Sequence, residues 1–367
     1  MRKSLRIGYV PLTDAALLHI AKGQGFAAAR GLDLELVPEP SWANIRDKLA
    51  AGYFDAAHML APAAIAVSLG LAQVKAELVA PVALGLNGNA ITVSKALYEA
   101  IAQQTGEVPA GPQATSQALK RIAAKRRGAG EPPLTFGHVF PFSTHHYQLR
   151  LWLRSGQIDI GEDVRLVVVP PPYMVDTLRK GSLDGFCVGA PWNSLAASAG
   201  AGVILHQGLE IVRDCPEKVL AFRAGWAHAH AEEVHAIGDA IGEAARWAGE
   251  RANRGSVAAL LSEAAGPGVT PATIEPVLAG GRGAGAGLRL DEAAIKADPA
   301  HALWLYAQMA AAGQCVFSET LAQAAAAVYA PGLGPQITAP SAIPIAFEPP
   351  QFSPSDVHGY FAALRSK

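Results

Sequence analysis

The chain has 367 residues, long enough for two α/β lobes that each bury their own core. Thirty basic against 31 acidic residues leave a formal net charge of -1, which excludes the basic footprint of direct nucleic-acid binding or of docking on an anionic membrane. The apolar fraction is 50%, yet no stretch approaches the roughly 20 apolar residues of a membrane-spanning helix, so a soluble chain is expected.

From residue 5 onward, short β-rich runs alternate with helical patterns, the signature of βαβ units and a mainly parallel sheet. The run Leu5 to Leu12 reads as a buried strand, followed by a helix from about Asp14 to Arg30 and a period-two strand from Leu32 to Val37. Ser41 is a good N-cap for a helix that begins at Trp42 and runs to about Tyr53, before a strand from Asp55 to Leu60. A strand over Glu77 to Leu84 feeds the segment Leu86 to Val93, whose turn-like Asn87-Gly88 marks a first crossing between lobes.

Residues 105–133 hold one helix around Ser116 to Arg127 and otherwise read as surface loop. The pattern resumes with the strand Leu134 to Phe140, a helix from about Thr144 to Ser155, the strand Val164 to Val169 and a helix opened by Pro170-Pro171-Pro172. Asp184 to Gly189 is a buried strand, a helix follows from Pro191, and Val203 to His206 is again a strand. Pro216 to Arg223 reads as the return crossing. Residues 224 to about 330 are helical apart from a Gly-rich loop at 280–287, and the Pro-rich tail beyond Pro331 is expected to lie over the first lobe. One lobe thus comprises 1–88 plus 217–367 and the other 89–216, with a cleft between them ringed by strand ends and helix N-termini.

Four hydrogen-bond donors stand at the expected cleft edge: Trp42, Asn89, His145 and Lys218. Helix N-termini at Trp42 and His145 add partial positive charge and free backbone N–H groups. No carboxylate stands among the four. A donor-only site with a cation, and with His145 protonated, favours an aprotic monoanion such as nitrate over bicarbonate, whose hydroxyl needs an acceptor.

Other features carry less. The cluster His228, His230, Glu232, Glu233 and His235 spreads around several faces of a helix, so no metal site is expected there. The run Gly280 to Gly287 lacks the Gly-Lys-Ser/Thr of a phosphate-binding loop, and no cofactor is expected. Cys187, Cys215 and Cys315 are odd in number and widely spaced, which argues against a disulfide framework or a zinc site and suits a reducing compartment. Cys187 has no base beside it in sequence, which speaks against a nucleophile. Met1-Arg2-Lys3-Ser4 leads at once into the first strand without the run of a secretory leader, so a cytoplasmic location is expected.

Several segments together resemble the nitrate/bicarbonate-binding family of ABC transport systems, the NrtA/CmpA type. They are Ile7 to Leu12, Ser41 to Leu49, Asp55 to Pro62, Leu86 to Ile91, Thr144 to Leu153, Asp184 to Asn193 and Pro216 to Leu220. The resemblance runs from about residue 5 to 325 and implies a two-lobed, periplasmic-binding-protein-like α/β fold of type II with two hinge crossings. It implies that Trp42, His145 and Lys218 contact the anion and that Asn89 stands where nitrate binders usually have Gln. The segment Phe140 to Ser143 departs from the Gly-rich turn of the family. Among relatives, the chain is most similar to the cytoplasmic nitrate/nitrite sensor type NasS. That similarity implies a partner, an RNA-binding antiterminator of the NasT type, held in the absence of the anion. The other readings are an exported transport component and a sensor of bicarbonate, cyanate or an organosulfonate. An enzyme on this fold, like thiamine-precursor synthases, would require a Cys-rich catalytic stretch that is absent.

Overall fold

Strand β1 (Lys3–Tyr9) runs parallel to β2 (Leu32–Pro38), with Lys3 opposite Leu32 and Tyr9 opposite Pro38, and its other edge takes β3 (Ala56–Leu60), also parallel. The later strands are β4 (Leu78–Ala83), β5 (Asn89–Val93), β6 (Leu134–His138), β7 (Val164–Val168), β8 (Gly185–Gly189), β9 (Val203–Gln207), β10 (Val212–Arg213), β11 (Lys218–Arg223) and β12 (Ile345–Ala346). The computed structural model describes residues 2–106, 110–265, 268–279 and 287–366.

Two five-stranded sheets result, in the orders β2-β1-β3-β11-β4 and β7-β6-β8-β5-β9. Each has one strand antiparallel to both neighbours: β11 between β3 and β4, and β5 between β8 and β9. These are the strands by which the chain passes between the sheets, so each enters its sheet from the opposite end. The expected mainly parallel α/β sheets are therefore interrupted once each, and the architecture is the two-lobed periplasmic-binding-protein-like fold.

The two crossings lie side by side. Asn87 donates its backbone N–H to the Cys215 carbonyl (2.9 Å), its side-chain Oδ1 accepts from the Cys215 N–H (3.0 Å), and Leu86 bridges to Pro216. Asn87 (φ 64°) and Gly88 (φ 104°) occupy the left-handed half of backbone space, which Asn and Gly enter at least steric cost. A third link joins the halves where the Thr13 N–H donates to the Ala190 carbonyl (2.9 Å).

Three elements differ from the sequence reading. The helix expected over 14–30 is a 3-10 turn (Thr13–Ala15), a helix (Ala16–Gly23) and a short turn (Phe26–Ala29), divided at Gly25 with φ 77°. Residues 95–128 carry two helices: Lys95–Thr105, capped by Ser94, and Pro112–Gly128, which opens on a proline whose missing N–H is no loss at that position. The tail covers the first half, where Gly334 packs on Pro81, Pro335 on Gly238, and the Ala339 and Ala342 carbonyls meet Lys296 and His301, but it also reaches the other half. It then pairs β12 with β10 and ends in a helix, Val357–Arg365, packed on the helix Pro299–Ala311. Residues 280–286 of the expected Gly-rich loop lie outside the described residues.

The helix Thr144–Ser155 is fixed at both ends. Ser143 caps it by accepting the His146 N–H (3.2 Å). Trp152, fully buried, anchors its far end by donating its indole N–H to the Pro112 carbonyl and to Thr115 Oγ1, both at 3.1 Å. Burial of an aromatic side chain of this size contributes on the order of 2–3 kcal/mol. The helix N-terminus is thereby held at the inner edge of the second sheet.

Candidate functional site

The helix capped by Ser41, whose hydroxyl accepts the Asn44 N–H (3.2 Å), begins at Trp42 and turns that indole inward. Lys218 is the first residue of β11, opposite Leu60 at the end of β3. Asn89 is the first residue of β5, opposite Gly189. His145 is in the first turn of the Thr144–Ser155 helix. All four are buried, with fractional exposures of 2% for Trp42, 1% for Lys218 and 0% for Asn89 and His145. The first two come with the first sheet and the last two with the second.

Around Lys218 the structure places carboxylates that the sequence reading left out. Lys218 Nζ lies 2.7 Å from Asp14 Oδ2 and 3.1 Å from Glu217 Oε2. Asp14 Oδ1 is 3.0 Å from His58 Nε2, and Asn89 Nδ2 donates to Glu217 Oε1 (2.6 Å) and to Gln148 Oε1 (3.2 Å). The Trp42 ring centroid stands 5.7 Å from Lys218 Nζ and 5.3 Å from the His58 ring. The donor-only pocket is therefore corrected. A buried ammonium needs a counter-charge, and the turn after β1 and the residue before β11 supply two.

The electrostatics follow from burial and pairing. Burial alone would raise Asp14, but Lys218 and His58 outweigh it and hold the carboxyl well below the usual range. Burial works against the Lys218 ammonium, and Asp14 and Glu217 overcome it, so Lys218 stays charged. Burial pushes Glu217 up against the pull of Lys218. Burial, reinforced by the Lys218 charge, holds His145 well below its ordinary value. His145 is therefore neutral, one ring nitrogen donating and the other accepting, which corrects the protonated imidazole of the sequence reading.

Several buried polar atoms here have no hydrogen-bond partner among the described residues: Trp42 Nε1, both ring nitrogens of His145, Gln148 Nε2 and Asn89 Oδ1. Unpartnered groups of this kind are rare in folded proteins, and here they gather in one place. Gly189 borders the same place: a Cβ there would stand 3.5 Å from Asp14 Oδ2 and 3.6 Å from Asn89 Oδ1. Of the neighbouring pair, His146 does not share this position. Its ring is tilted against that of His138, with centroids 4.7 Å apart, and lies against Tyr147.

Asp14, His58, Gln148 and Glu217 are the site residues that sequence reasoning missed. His58 was signalled by one polar residue within the apolar strand Ala56-Ala57-His58-Met59-Leu60, and Glu217 by its place beside Lys218 at a crossing. Asp14 carries no local signal; only the β1–β3–β11 adjacency brings it to Lys218.

The profile of the NMT1-like family matches residues 2–262. The chain belongs to the NMT1-like family. It is 36% identical over 253 residues to the nitrate import ATP-binding protein NrtC of Synechocystis sp. PCC 6803, covering 68% of this chain and 36% of that protein. It is 34% identical over 263 residues to the nitrate/nitrite binding protein NrtA of Nostoc sp. PCC 7120, covering 70% of this chain and 57% of that one. The chain thus spans about a third to just over half of the length of these curated relatives. The crystal structure of the periplasmic nitrate-binding protein NrtA from Synechocystis PCC 6803 superimposes with a TM-score of 0.86 over 99% of this chain and 98% of that one. At 24% identity that likeness is one of fold.

Of the residues set aside as chemistry-bearing, the histidine cluster is engaged elsewhere, whereas Cys187 and Cys215 border the site, their thiols reaching Gln148 Oε1 (3.7 Å) and Glu217 Oε1 (3.5 Å). His228 and His230 engage backbone carbonyls of Ala224 and Trp226, and Glu233 pairs with Lys3 (2.5 Å). Cys187 and Cys215 are buried, and burial lifts both thiols well above the usual range, so neither offers the thiolate of a nucleophile.

Proposed function

We propose that this chain binds nitrate or nitrite between its two halves and that the bound anion holds them closed. The observation that carries the reading is the group of buried N–H groups without a protein acceptor, Trp42 Nε1, Gln148 Nε2 and His145, gathered about the charged Lys218. Each unmet buried donor costs on the order of 1–3 kcal/mol, and a small ligand rich in acceptor oxygens relieves all of them at once. Lys218 and Trp42 move with the first sheet, His145 and Gln148 with the second. An anion touching both therefore favours the closed arrangement by its differential contacts. The names of the relatives NrtA and NrtC support nitrate.

Bicarbonate is the second reading, and Glu217 favours it, because a carboxylate at the site accepts the hydroxyl that bicarbonate presents and nitrate lacks.

As to biological role, our reading is a cytoplasmic sensor of the NasS type. Without the anion it holds a NasT-type RNA-binding antiterminator; closure on the anion releases the partner, so that nitrate-assimilation genes are transcribed past a terminator. Three unpaired cysteines suited to a reducing compartment support this, while the order and spacing of the motifs support the binding-protein family alone. The alternative is the substrate-binding component of a nitrate or bicarbonate ABC transporter, which the relatives' names favour.

Calorimetric titration of nitrate, nitrite and bicarbonate into the free protein tests the anion, and repeating it with the NasT-type partner present tests the role. The sensor reading requires partner and anion to weaken each other reciprocally. Equal nitrate affinity with and without partner contradicts the sensor, and the absence of saturable binding of all three ions contradicts the anion site.

A further inference from the structure

The helix that carries His145 inward presents a second set of residues on its other side. Tyr147, Arg150, Leu151 and Arg154 follow the three-and-four spacing of one helical stripe and line a crevice of about 430 Å³. Its opposite wall is the end of the Pro299–Ala311 helix, with Gln308, and Leu364 of the last helix. The Pro299–Ala311 helix packs on Ala61–Ser68 beside the first sheet. The crevice therefore straddles the outer seam between the halves. It is strapped alongside by Tyr147 donating to Gln314 Oε1 and Gln314 donating to the Pro141 carbonyl, both at 2.8 Å.

The two arginines lack carboxylate partners. Arg150 makes no hydrogen bond or ion pair among the described residues, and Arg154 spends one N–H on the Leu364 carbonyl (3.2 Å) while its buried Nε has no partner. By contrast, the half-buried Arg30 and Arg289 each close on a carboxylate, Glu243 and Asp214, at 2.6 Å. The acidic groups nearby are Asp159, exposed at the rim with Oδ1 accepting the Glu162 N–H, and Glu348, which reaches Arg154 only through space.

We propose that this crevice is a second ligand site, for a short-chain dicarboxylate. Two guanidinium forks one helical turn apart suit two carboxylates, each able to accept bidentate bonds, and apolar Leu151 and Ile158 also line the crevice. The volume is larger than one inorganic anion fills and falls in the range of small-molecule pockets. A diacid held by Arg150 and Arg154 on one side, and on the other by the remaining N–H of Gln308, whose Nε2 also donates to the Tyr360 hydroxyl (2.8 Å), bridges the same two halves as the inner site. The helix between the sites is shared, so diacid and nitrate strengthen each other's binding. That coupling rests on the proposed anion reading; occupancy of the crevice does not.

The test is calorimetric titration of succinate and glutarate into the full chain, first without nitrate and then with nitrate saturating. Acetate, succinamide and inorganic phosphate serve as comparison probes. The expected result is one saturable diacid site, weakened at least tenfold in Arg150→Gln and in Arg150→Lys, and tightened by nitrate. Arg150→Lys keeps the charge while losing the fork, so the test stands even if Arg150→Gln folds poorly. No saturable heat with either diacid, equal binding by Arg150→Gln and Arg150→Lys to that of the unsubstituted chain, or phosphate binding as well as the diacids do would each overturn the site. Diacid binding that nitrate leaves unchanged would overturn the coupling alone.

Discussion

Lys218 Nζ is held 2.7 Å from Asp14 Oδ2. The two residues are about two hundred positions apart, on the first residue of β11 and in the turn after β1, and both are buried. The cation of the site is thus balanced inside the protein, and an incoming anion shares it with Asp14 instead of neutralising a bare charge. Selectivity then depends on the neutral donors around the pair, Trp42, Gln148 and His145, and on the charge of Glu217.

Substituting Lys218→Met leaves Asp14 buried without its partner, and removal of one member of a buried pair costs on the order of 3–5 kcal/mol. The double substitution Asp14→Asn with Lys218→Met removes both charges of this pair, leaves Glu217 to take up a proton, and recovers part of that loss. Urea denaturation of the three proteins checks this: the double variant is expected to be more stable than Lys218→Met alone. Equal or lower stability in the double variant would show that the pair is not coupled.

Glu217 gives the protein a pH dependence of definite sign. Its folded pKa is raised, mainly by burial, so its contribution to stability is present below the unfolded value of about 4.3 and is lost as pH rises through the folded value. Protonation also removes a negative charge beside the incoming anion. Nitrate affinity is therefore expected to fall as pH rises through the Glu217 pKa, with proton uptake on binding measurable by calorimetry in buffers of different ionisation enthalpy. Glu217→Gln should flatten both the stability and the affinity profiles. A wild-type pH profile retained in Glu217→Gln would assign it to another group.

Trp42→Phe removes the indole N–H and keeps the ring's packing beside Lys218 and His58. A loss of about 1 kcal/mol in nitrate binding, roughly fivefold in Kd, is expected with little change in Tm. Unchanged affinity would remove Trp42 from the set of anion contacts.

Gly189→Ala would place a methyl group 3.5 Å from Asp14 Oδ2 and 3.6 Å from Asn89 Oδ1, at ordinary contact distance. The fold should tolerate it, while the space beside those oxygens shrinks. Thermal shift with and without nitrate is expected to show a near-native Tm and a diminished nitrate-induced rise. A full nitrate-induced rise would mean that the anion lies away from Gly189.

Much of this was legible in the sequence for a physical reason: local patterns are set by local chemistry. Ser41 announces a helix start by capping, and the helix patterns beginning at Trp42 and Thr144 carry Trp42 and His145 to the inner edge of the structure. Asn87-Gly88 announces the crossing because few residues adopt φ 64° and 104°. Sheet order was not legible. Alternation shows that Pro216 to Arg223 is extended, but not that it inserts antiparallel between β3 and β4 and sets Lys218 opposite Leu60. That non-local pairing is what brings Asp14 and His58 to Lys218, so a reading by sequence proximity named Trp42, Asn89, His145 and Lys218 and passed over Asp14 and His58. The arginines of the outer crevice were hidden likewise, since the helices opposite them come from residues 299–311 and 357–365.

The most direct test of the central claim is the structure of the chain determined in the presence of nitrate. The prediction is one nitrate enclosed between the two sheets, its oxygens within hydrogen-bond distance of Lys218 Nζ, Trp42 Nε1 and an imidazole nitrogen of His145. A nitrate found elsewhere on the chain, or a site that stays free of nitrate at saturating concentration, would contradict the account.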